Sequence, residues 1–365
     1  MSKIVSIGTA SPSYPTRQKD ILNFMHEAYN HKEASRKLNA LFRFSGIENR
    51  YSVLPDFNIT PAKQLFFNGN SPQPQVDVRL DTFKEKALPL AKDAIDAAFK
   101  NIQTPINTFG VTHIITVTCT GLYAPGLDAE LIKELELPED TSHTAVNFLG
   151  CNAAFHALKM GDYICRAEAQ AKVLIVCVEL CTLHFRPKDN SDNLLANTLF
   201  ADGAAAVIMC NDAVRTKSKV NLRVKGFHSY LLDKGKELMG WDIKPLNFEM
   251  ILNARIPDLI GDEIKDLLHR VGDKLQVDVS KIDNYAVHPG GKKILDSVKN
   301  SLGLMDNELE LSYQVLQQYG NMSSPTILFI LKAFLDLPDK YNENIYSVGF
   351  GPGLSIESAL FEYGK

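Results

Sequence analysis

Short apolar runs of strand length alternate along this chain with longer stretches whose apolar residues recur every three or four positions. Residues 4–8, 113–118, 173–178, 204–209, 285–287 and 345–349 read as strands, and residues 82–100 and 324–335 as helices packed on one face. That alternation predicts an α/β protein. Residues 68–77, NGNSPQPQVD, are polar and Pro-rich and predict a surface loop. A polar, charged break at 211–218 divides the chain into an N-terminal half, 1–215, and a C-terminal half, 216–365.

Two strand-turn-helix patterns stand out. In VNFLGCNAAFHALKMGDYIC, residues 145–149 read as a short buried strand, and Phe155, Leu158 and Tyr163 follow at roughly helical spacing. Cys151 then falls on the turn, where backbone N–H groups without intrahelical partners favour a thiolate. An inert core thiol is the plainer reading, because cysteine is among the most buried residue types. In NYAVHPGGKKILDSVKNSLG the turn carries His288. The parallel predicts two halves of similar design whose strand ends meet at one site, where open α/β sheets bind ligands. Asn321 opens a third segment, GNMSSPTILFILKAFL, just before a helix. Cysteine, histidine and asparagine from distant positions form a nucleophilic set in which an imidazolium pairs with the thiolate. A structural histidine and an N-capping asparagine are the plain alternatives, and a cysteine protease or amidase uses the same three residue types.

Composition narrows the class. The chain has 365 residues, 45% hydrophobic and 22% charged, with a formal net charge of −4. Those values predict a soluble globular protein without a nucleic-acid surface. Six scattered cysteines lack disulfide-framework spacing and fit a reducing cytoplasm. The N-terminal apolar run is too short for a signal peptide, and no segment approaches membrane-spanning length. The expected location is therefore cytoplasmic. The patterns Asn58-Ile59-Thr60 and Asn321-Met322-Ser323 then carry no glycosylation. Cys177, Cys181 and His184 mimic metal-ligand spacing, but strand alternation separates them and a fourth ligand is missing, so no metal is expected.

The motifs HPGGKKILD, YGNMSSPT and VGFGPGLSIE, in this order after a Gly-Cys turn, resemble the chalcone synthase-like type III polyketide synthases. ELCTLHFRP, LFADGAAAVI and TCTGLYAPG extend the resemblance over essentially the whole chain. Cys151 stands 137 residues before His288 and Asn321 stands 33 after it. The resemblance implies a thiolase-like fold, with two duplicated αβα halves in a five-layer αβαβα arrangement, working as a homodimer. Ketoacyl synthase III enzymes share the triad, but they usually follow the histidine with Gln-Ala-Asn, where this chain has Pro289-Gly290-Gly291. GIENR, residues 46–50, is similar to an element of that group, whose members initiate fatty-acid synthesis with acyl carrier protein. Hydroxymethylglutaryl-CoA synthases rely on a glutamate near the cysteine, for which the sequence offers no convincing match.

What the resemblance implies can be assigned residue by residue. Cys151 takes an acyl starter from acyl-CoA as a thioester. His288 and Asn321 hold the thioester carbonyl of malonyl-CoA and stabilise the enolate formed as carbon dioxide leaves. No cofactor is implied; coenzyme A thioesters are the substrates. Phe200 matches the gatekeeper phenylalanine, with Ala201 where many members have glycine. Met250 falls nearest the second gating aromatic, with Phe248 two residues away. Thr120, Ala124, Cys181 and His184 align with positions that shape the acyl cavity, and Ala124 precedes Pro125 in a loop that reaches toward a partner subunit. The small Ala124 and Cys181 imply an apolar tunnel for a long-chain fatty acyl starter. His184, larger than the usual threonine, implies few extensions. Gly290, Ser323, Gly351, Pro352 and Gly353 complete the substrate-binding set, and the glycine-rich run at 349–353 suits close backbone approach to a ligand. For coenzyme A, Lys37 matches the family's basic cluster, Ala40 and Phe44 replace expected cations, and Lys292 and Lys293 are the substitutes. The implied products are an alkylpyrone, an alkylresorcinol or a phloroglucinol-type ring.

Overall fold

The computed structural model describes residues 1–58, 66–67, 73–218, 220–337 and 343–364. The chain opens with β1 (Ser2–Ala10) and β2 (Tyr14–Arg17). The helices α1 (Gln18–Tyr29) and α2 (Lys32–Phe44) precede β3 (Asn49–Ser52), which pairs back on β2. Next come α3 (Val76–Asn101), the single turn α4 (Ile106–Phe109), β4 (His113–Thr118), α5 (Leu127–Glu134) and β5 (Ser142–Asn147). The first half closes with α6 (Ala153–Ala167), β6 (Lys172–Leu180), α7 (Ser191–Leu199) and β7 (Asp202–Asn211). The second begins with β8 (Asn221–Leu231) and the pair β9 (Met239–Ile243) and β10 (Phe248–Leu252). It continues through α8 (Ile256–Leu275), β11 (Asn284–Val287), α9 (Lys292–Leu302), α10 (Glu310–Tyr319), α11 (Pro325–Leu335), β12 (Asn344–Gly351) and β13 (Ser355–Gly364).

Each expected strand outside 145–149 is present, and the expected helices are α3 and α11, with α3 starting six residues early. Val76 and Asp77 belong to that helix rather than to the expected loop, of which residues 68–72 lie outside the described residues. Strand β5 runs at 142–147, not 145–149, and is exposed except at Val146. It is the outermost strand of its half, paired with β4 on one edge and open on the other.

Among the described residues, nine strands form one sheet in the order β11-β12-β13-β8-β1-β7-β6-β4-β5. The sheet is two half-sheets joined by a short antiparallel seam, Lys3 to Arg223 and Ile4 to Leu222. Pairing repeats across the seam. β4–β6 is parallel and β6–β7 and β7–β1 antiparallel, as β11–β12 is parallel and β12–β13 and β13–β8 antiparallel. Side-chain alternation then produces three buried clusters. Val5, Leu174, Val176 and Ala206 face α3; Ile4, Ile7, Ile175, Val207 and Ala359 face α6 and α11; Val287, Val348 and Leu360 face α8 and α9. The result is the five-layer αβαβα thiolase-like fold. Helix α11, ILFILKAFL after Thr326, is apolar on all sides because it lies in the middle layer.

The halves superpose in topology, and this corrects the parallel drawn between the two turns. His288 ends β11, so its counterpart is the end of β4, at Thr118 and Cys119. Cys151 precedes α6, so its counterpart is the segment Asn321–Ser324 ahead of α11. The catalytic candidates are thus not equivalent points of a repeat.

One backbone contact locks the outer layer. Ala87, Ala91, Ala94 and Ala98 make a small-residue stripe on α3, all fully buried. A Cβ on Gly8 of β1 would lie 2.2 Å from both Ala94 O and Ala98 N. Gly8→Ala is therefore expected to lower the unfolding free energy by about 3 kcal/mol, as overpacked cores do. Denaturant titration checks this, and an unchanged midpoint would contradict the contact.

Candidate active site

Cys151 sits at an elbow between β5 and α6 that the chain can make only with unusual backbone. Phe148 and Gly150 have φ of 64° and 81°. A Cβ on Gly150 would meet Pro352 Cδ at 2.5 Å, and one on Gly351 would meet Asn152 Oδ1 at 2.3 Å. Asn152, fully buried, donates from Nδ2 to Ser355 Oγ at 2.8 Å. The glycine-rich run at 349–353 was expected to approach a ligand. It approaches the residues that flank Cys151, and so fixes the elbow against the second half. Pro352 reaches the cavity wall, and Gly353, at φ 105°, turns the chain from β12 toward β13.

Asn321 reaches the same place from the other half. Its N–H donates to Leu199 O and its carbonyl accepts from Ala201 N–H, both at 2.9 Å, in a parallel bridge to Phe200. Its Oδ1 accepts from Ser323 N–H at 2.8 Å. That leaves the amide NH2 as donor, and Asn321 and Ser323 both stand at the Cys151 thiol and favour its deprotonation, while Ser323 Oγ lies 3.4 Å from Cys119 Sγ. His288 follows β11, its N–H donating to Val348 O at 2.9 Å. The imidazole is fully buried, and neither ring nitrogen has a hydrogen-bond partner among the described residues.

Burial dominates the electrostatics. It pushes the Cys151 thiol up to about 11, against the lowering effect of the bonds from Ser323 and Asn321. It pushes the His288 imidazole down to about 3. The thiolate expected from the helix start alone is therefore not sustained, because a lone charge in a dry site costs more than the partial charge of a helix end returns. Thiolate and imidazolium formed together offset each other's desolvation, so deprotonation of the sulfur is tied to protonation of the ring.

A carboxylate does stand near the cysteine. Glu179 is fully buried on β6, and its presence raises the thiol further. Its oxygens accept from Ser324 Oγ at 2.7 Å, Thr120 Oγ1 at 2.8 Å and Cys119 N–H at 2.9 Å. Sequence reasoning passed over Glu179; a lone acid inside the apolar run VLIVCVEL was the available signal.

The cavity at Cys151 has a volume of about 70 Å³ and a mainly apolar wall. Thr120, Cys181, His184, Phe200, Met250 and Ser323 line it. Ala124 does not: it is exposed on the loop before α5, joined to Pro125 by a cis peptide bond. Its small size therefore opens no space beside Cys151 within one chain. His184 donates from Nε2 to Thr120 O at 2.7 Å and accepts from Phe248 N–H at Nδ1, 3.0 Å, which leaves neither nitrogen for a metal. Its ring stacks on Phe248 with centroids 4.3 Å apart, and burial holds it neutral by pushing it down to about 3. Phe248 is thus a fixed wall, and Met250, only partly buried, is the freer side chain at the second gate position. Among the described residues no three His, Cys, Asp or Glu side chains are grouped to hold a metal, and no helix is long and apolar enough to cross a membrane.

A second cavity, about 300 Å³, opens beside the start of α9. Gly290, Lys292 and Lys293 line it together with Ala40, Phe44 and Leu252. Lys292 pairs with Asp296 at 2.8 Å. Lys37 lies outside this lining and pairs with Glu33 at 3.0 Å and Asp189 at 3.9 Å.

A buried cysteine on a β-to-α elbow, met by an asparagine from the opposite half of a duplicated fold, defines an acyl-condensing enzyme of the thiolase-like class. The family described as "Chalcone and stilbene synthases, N-terminal domain" matches residues 1–213, and "Chalcone and stilbene synthases, C-terminal domain" matches residues 230–363. The chain belongs to this family of decarboxylating acyltransferases, the type III polyketide synthases. It is 31% identical to a putative chalcone synthase of Bacillus subtilis, covering all of both chains. It is 27% identical to the alpha-pyrone synthesis polyketide synthase-like Pks18 of Mycobacterium tuberculosis, covering 98% of this chain and 90% of that protein. The C-terminal type III polyketide synthase domain of Steely1 from Dictyostelium is 28% identical, with a TM-score of 0.90 over 99% of each chain.

In a His288→Gln variant no imidazolium forms, so the Cys151 thiol should titrate near 11. Alkylation of Cys151 by iodoacetamide, followed by peptide mass, should then rise about tenfold per pH unit from 7 to 10, and lie far below the unaltered protein at pH 7. Superimposable pH profiles for the two proteins would show that His288 does not support the thiolate.

Proposed function

We propose that this chain loads an acyl-CoA starter on Cys151 and extends it by decarboxylative condensation with malonyl-CoA. The observation that carries the reading is the donor set around one buried sulfur. Asn321 and Ser323 contact the thiol, and His288 keeps both ring nitrogens free of protein partners. The sulfur attacks the acyl carbonyl, the bond to the coenzyme A sulfur breaks, and the proton leaves with coenzyme A. His288 and Asn321 then donate to the malonyl thioester oxygen while the bond to the carboxylate breaks and its electron pair becomes the enolate. The enolate attacks the Cys151 thioester, expels the thiolate, and yields a β-ketoacyl-CoA two carbons longer.

The starter is a long-chain fatty acyl group and the extensions are few, ending in an alkylpyrone, alkylresorcinol or phloroglucinol-type ring. Ile21, Met25, Phe57 and Phe185 support the first point, since they continue the Cys151 cavity as an apolar wall. His184 supports the second, because its two backbone hydrogen bonds and its stacking keep it from swinging aside. Lys292 and Lys293 are the cations for coenzyme A; their place in the lining of the second cavity, from which Lys37 is absent, supports this. The chain works in the cytoplasm, with residues 1–215 carrying the nucleophile and 216–365 the histidine and asparagine.

Mixing the protein with malonyl-CoA and starters from acetyl- to palmitoyl-CoA tests this by product mass. Product masses that climb with starter length and vanish in Cys151→Ala are expected. Turnover of short or aromatic starters alone would overturn the long-chain reading, and a demand for carrier-bound malonate would favour a ketoacyl synthase III-like initiation enzyme.

The functional unit is a homodimer. Strand β5 supports this as an uncovered edge, with Ser142, His143, Thr144 and Ala145 exposed and Leu149 41% exposed just beyond it. An unpaired edge with apolar residues is a template for another copy. Light scattering is expected to return twice the chain mass, and Ala145→Pro to return the single mass; a monomeric parent would remove the dimer.

A further inference from the structure

The GIENR stretch is not absorbed by the chemistry above, and its arginine is a buried cation tied to the site through Nε and Nη1, with Nη2 left without a hydrogen bond among the described residues. Arg50 lies on β3 and is 5% exposed. Its Nη1 donates to Phe200 O at 2.7 Å and to Asn197 O at 2.9 Å, and its Nε to Gln18 Oε1 at 2.8 Å. Gln18 in turn donates to Thr198 O at 2.9 Å. Together they satisfy the last carbonyls of α7, where a cation also meets the negative end of the helix. The guanidinium lies over the Phe42 ring at 5.8 Å. Asp202 is the neighbouring charge, but its oxygens accept from Val53 N–H and from Thr182 N–H and Oγ1 rather than from the guanidinium.

The other side of Arg50 presses on Gly320. A Cβ there would lie 2.9 Å from Arg50 Cγ, 3.0 Å from Cδ and 3.0 Å from Leu199 O. Gly320, at φ 68°, is the residue before Asn321. Arg50 therefore holds both ends of one bridge, the Phe200 carbonyl through its head and the approach to Asn321 through its stem. Burying an arginine without a hydrogen-bonded carboxylate is unfavourable, and ordinary surface capping does not require it.

We propose that Arg50 is a positioning residue that sets Asn321 and the Phe200 gate in register, so that it governs decarboxylation and extension far more strongly than the loading of Cys151. The loading nucleophile stands on the α6 elbow, fixed by Gly150, Asn152 and Gly351, none of which touches Arg50. The inference rests on the assignment of Cys151 and Asn321 made above. A parent protein that neither forms an acyl-enzyme nor releases carbon dioxide from malonyl-CoA would refute that assignment instead.

The test compares Arg50→Met, Arg50→Lys and Gly320→Ala in the full chain. Three quantities are read: the thermal midpoint, the rate of Cys151 acylation by intact mass, and carbon dioxide release with product formation. Arg50→Met should lose about 30-fold or more in decarboxylation and extension while acylation stays within about threefold. Arg50→Lys keeps the charge without the planar fork and should recover only part of the loss. Gly320→Ala wedges the same contact from the opposite side and should reproduce the split even if Arg50→Met folds poorly. Parallel loss of acylation and extension with the thermal midpoint would reduce Arg50 to a structural residue. Undiminished extension in Gly320→Ala would overturn the proposal outright.

Discussion

Gly351 leaves no room for a Cβ, since one placed there would lie 2.3 Å from Asn152 Oδ1. The organisation of the site depends on that approach. It brings the end of β12, from the second half, against the elbow that carries Cys151 in the first. The neighbouring contact of Gly150 with Pro352 repeats the constraint one residue to the other side of the sulfur. With each glycine backbone pressed against a side chain of the other segment, the elbow cannot shift without displacing β12, and the same strand accepts the N–H of His288 at Val348. Nucleophile and histidine are thereby referred to a common strand, and Asn321 joins them through its bridge to Phe200.

The same close packing makes the site dry, and dryness decides its protonation. Burial raises Cys151 and lowers His288, so each prefers to be neutral when considered alone. A neutral imidazole still offers one N–H, and with no protein partner that donor is free for a carbonyl oxygen. Glu179 shows the opposite solution. It is buried as deeply, yet its donors from both halves of the fold occupy both oxygens. One buried polar group is left open for chemistry, and the other is spent on joining Thr120 to Ser324.

Around this centre the cavity is shaped by side chains that differ in freedom. His184 is bonded at both nitrogens and stacked on Phe248, and Trp241 Nε1 donates to Cys119 O at 2.7 Å. These residues tie the β9–β10 pair to the loop after β4, making one rigid wall. Met250 and Phe200 are only partly buried and stand where the wall can yield. A fixed wall facing softer gates suits a reaction that must hold an acyl chain in one place while successive thioesters enter and leave.

Much of this was legible in the residue order because the signals are local. Apolar runs located six strands of the sheet, and the order of short motifs around Cys151, His288 and Asn321 indicated the fold and the class of chemistry. Strands β8 and β13 were missed because Lys225, Glu357 and Glu362 interrupt their apolar pattern, and those charges are paired only in the folded chain, Glu362 with Lys225 across the strands and Glu357 with Lys159 of α6. Strand β5 was misplaced because whether a strand is buried depends on what covers it, which the strand itself does not encode. Ala124 was expected to shape the acyl cavity from a loop that reaches toward a partner subunit, and the loop that carries it lies on the surface of the chain. The glycine-rich run was recognised as needing close approach, but only the folded chain shows that the approach is to Asn152. The role of Arg50 was also out of reach, since its partners Gln18, Asn197, Phe200 and Gly320 are brought together by the packing of α1, α7 and β3. Residue order determined the reactive groups and the elements that carry them; long-range contact decided their exposure, their protonation and the walls around them, because burial is a property of neighbours distant in the chain.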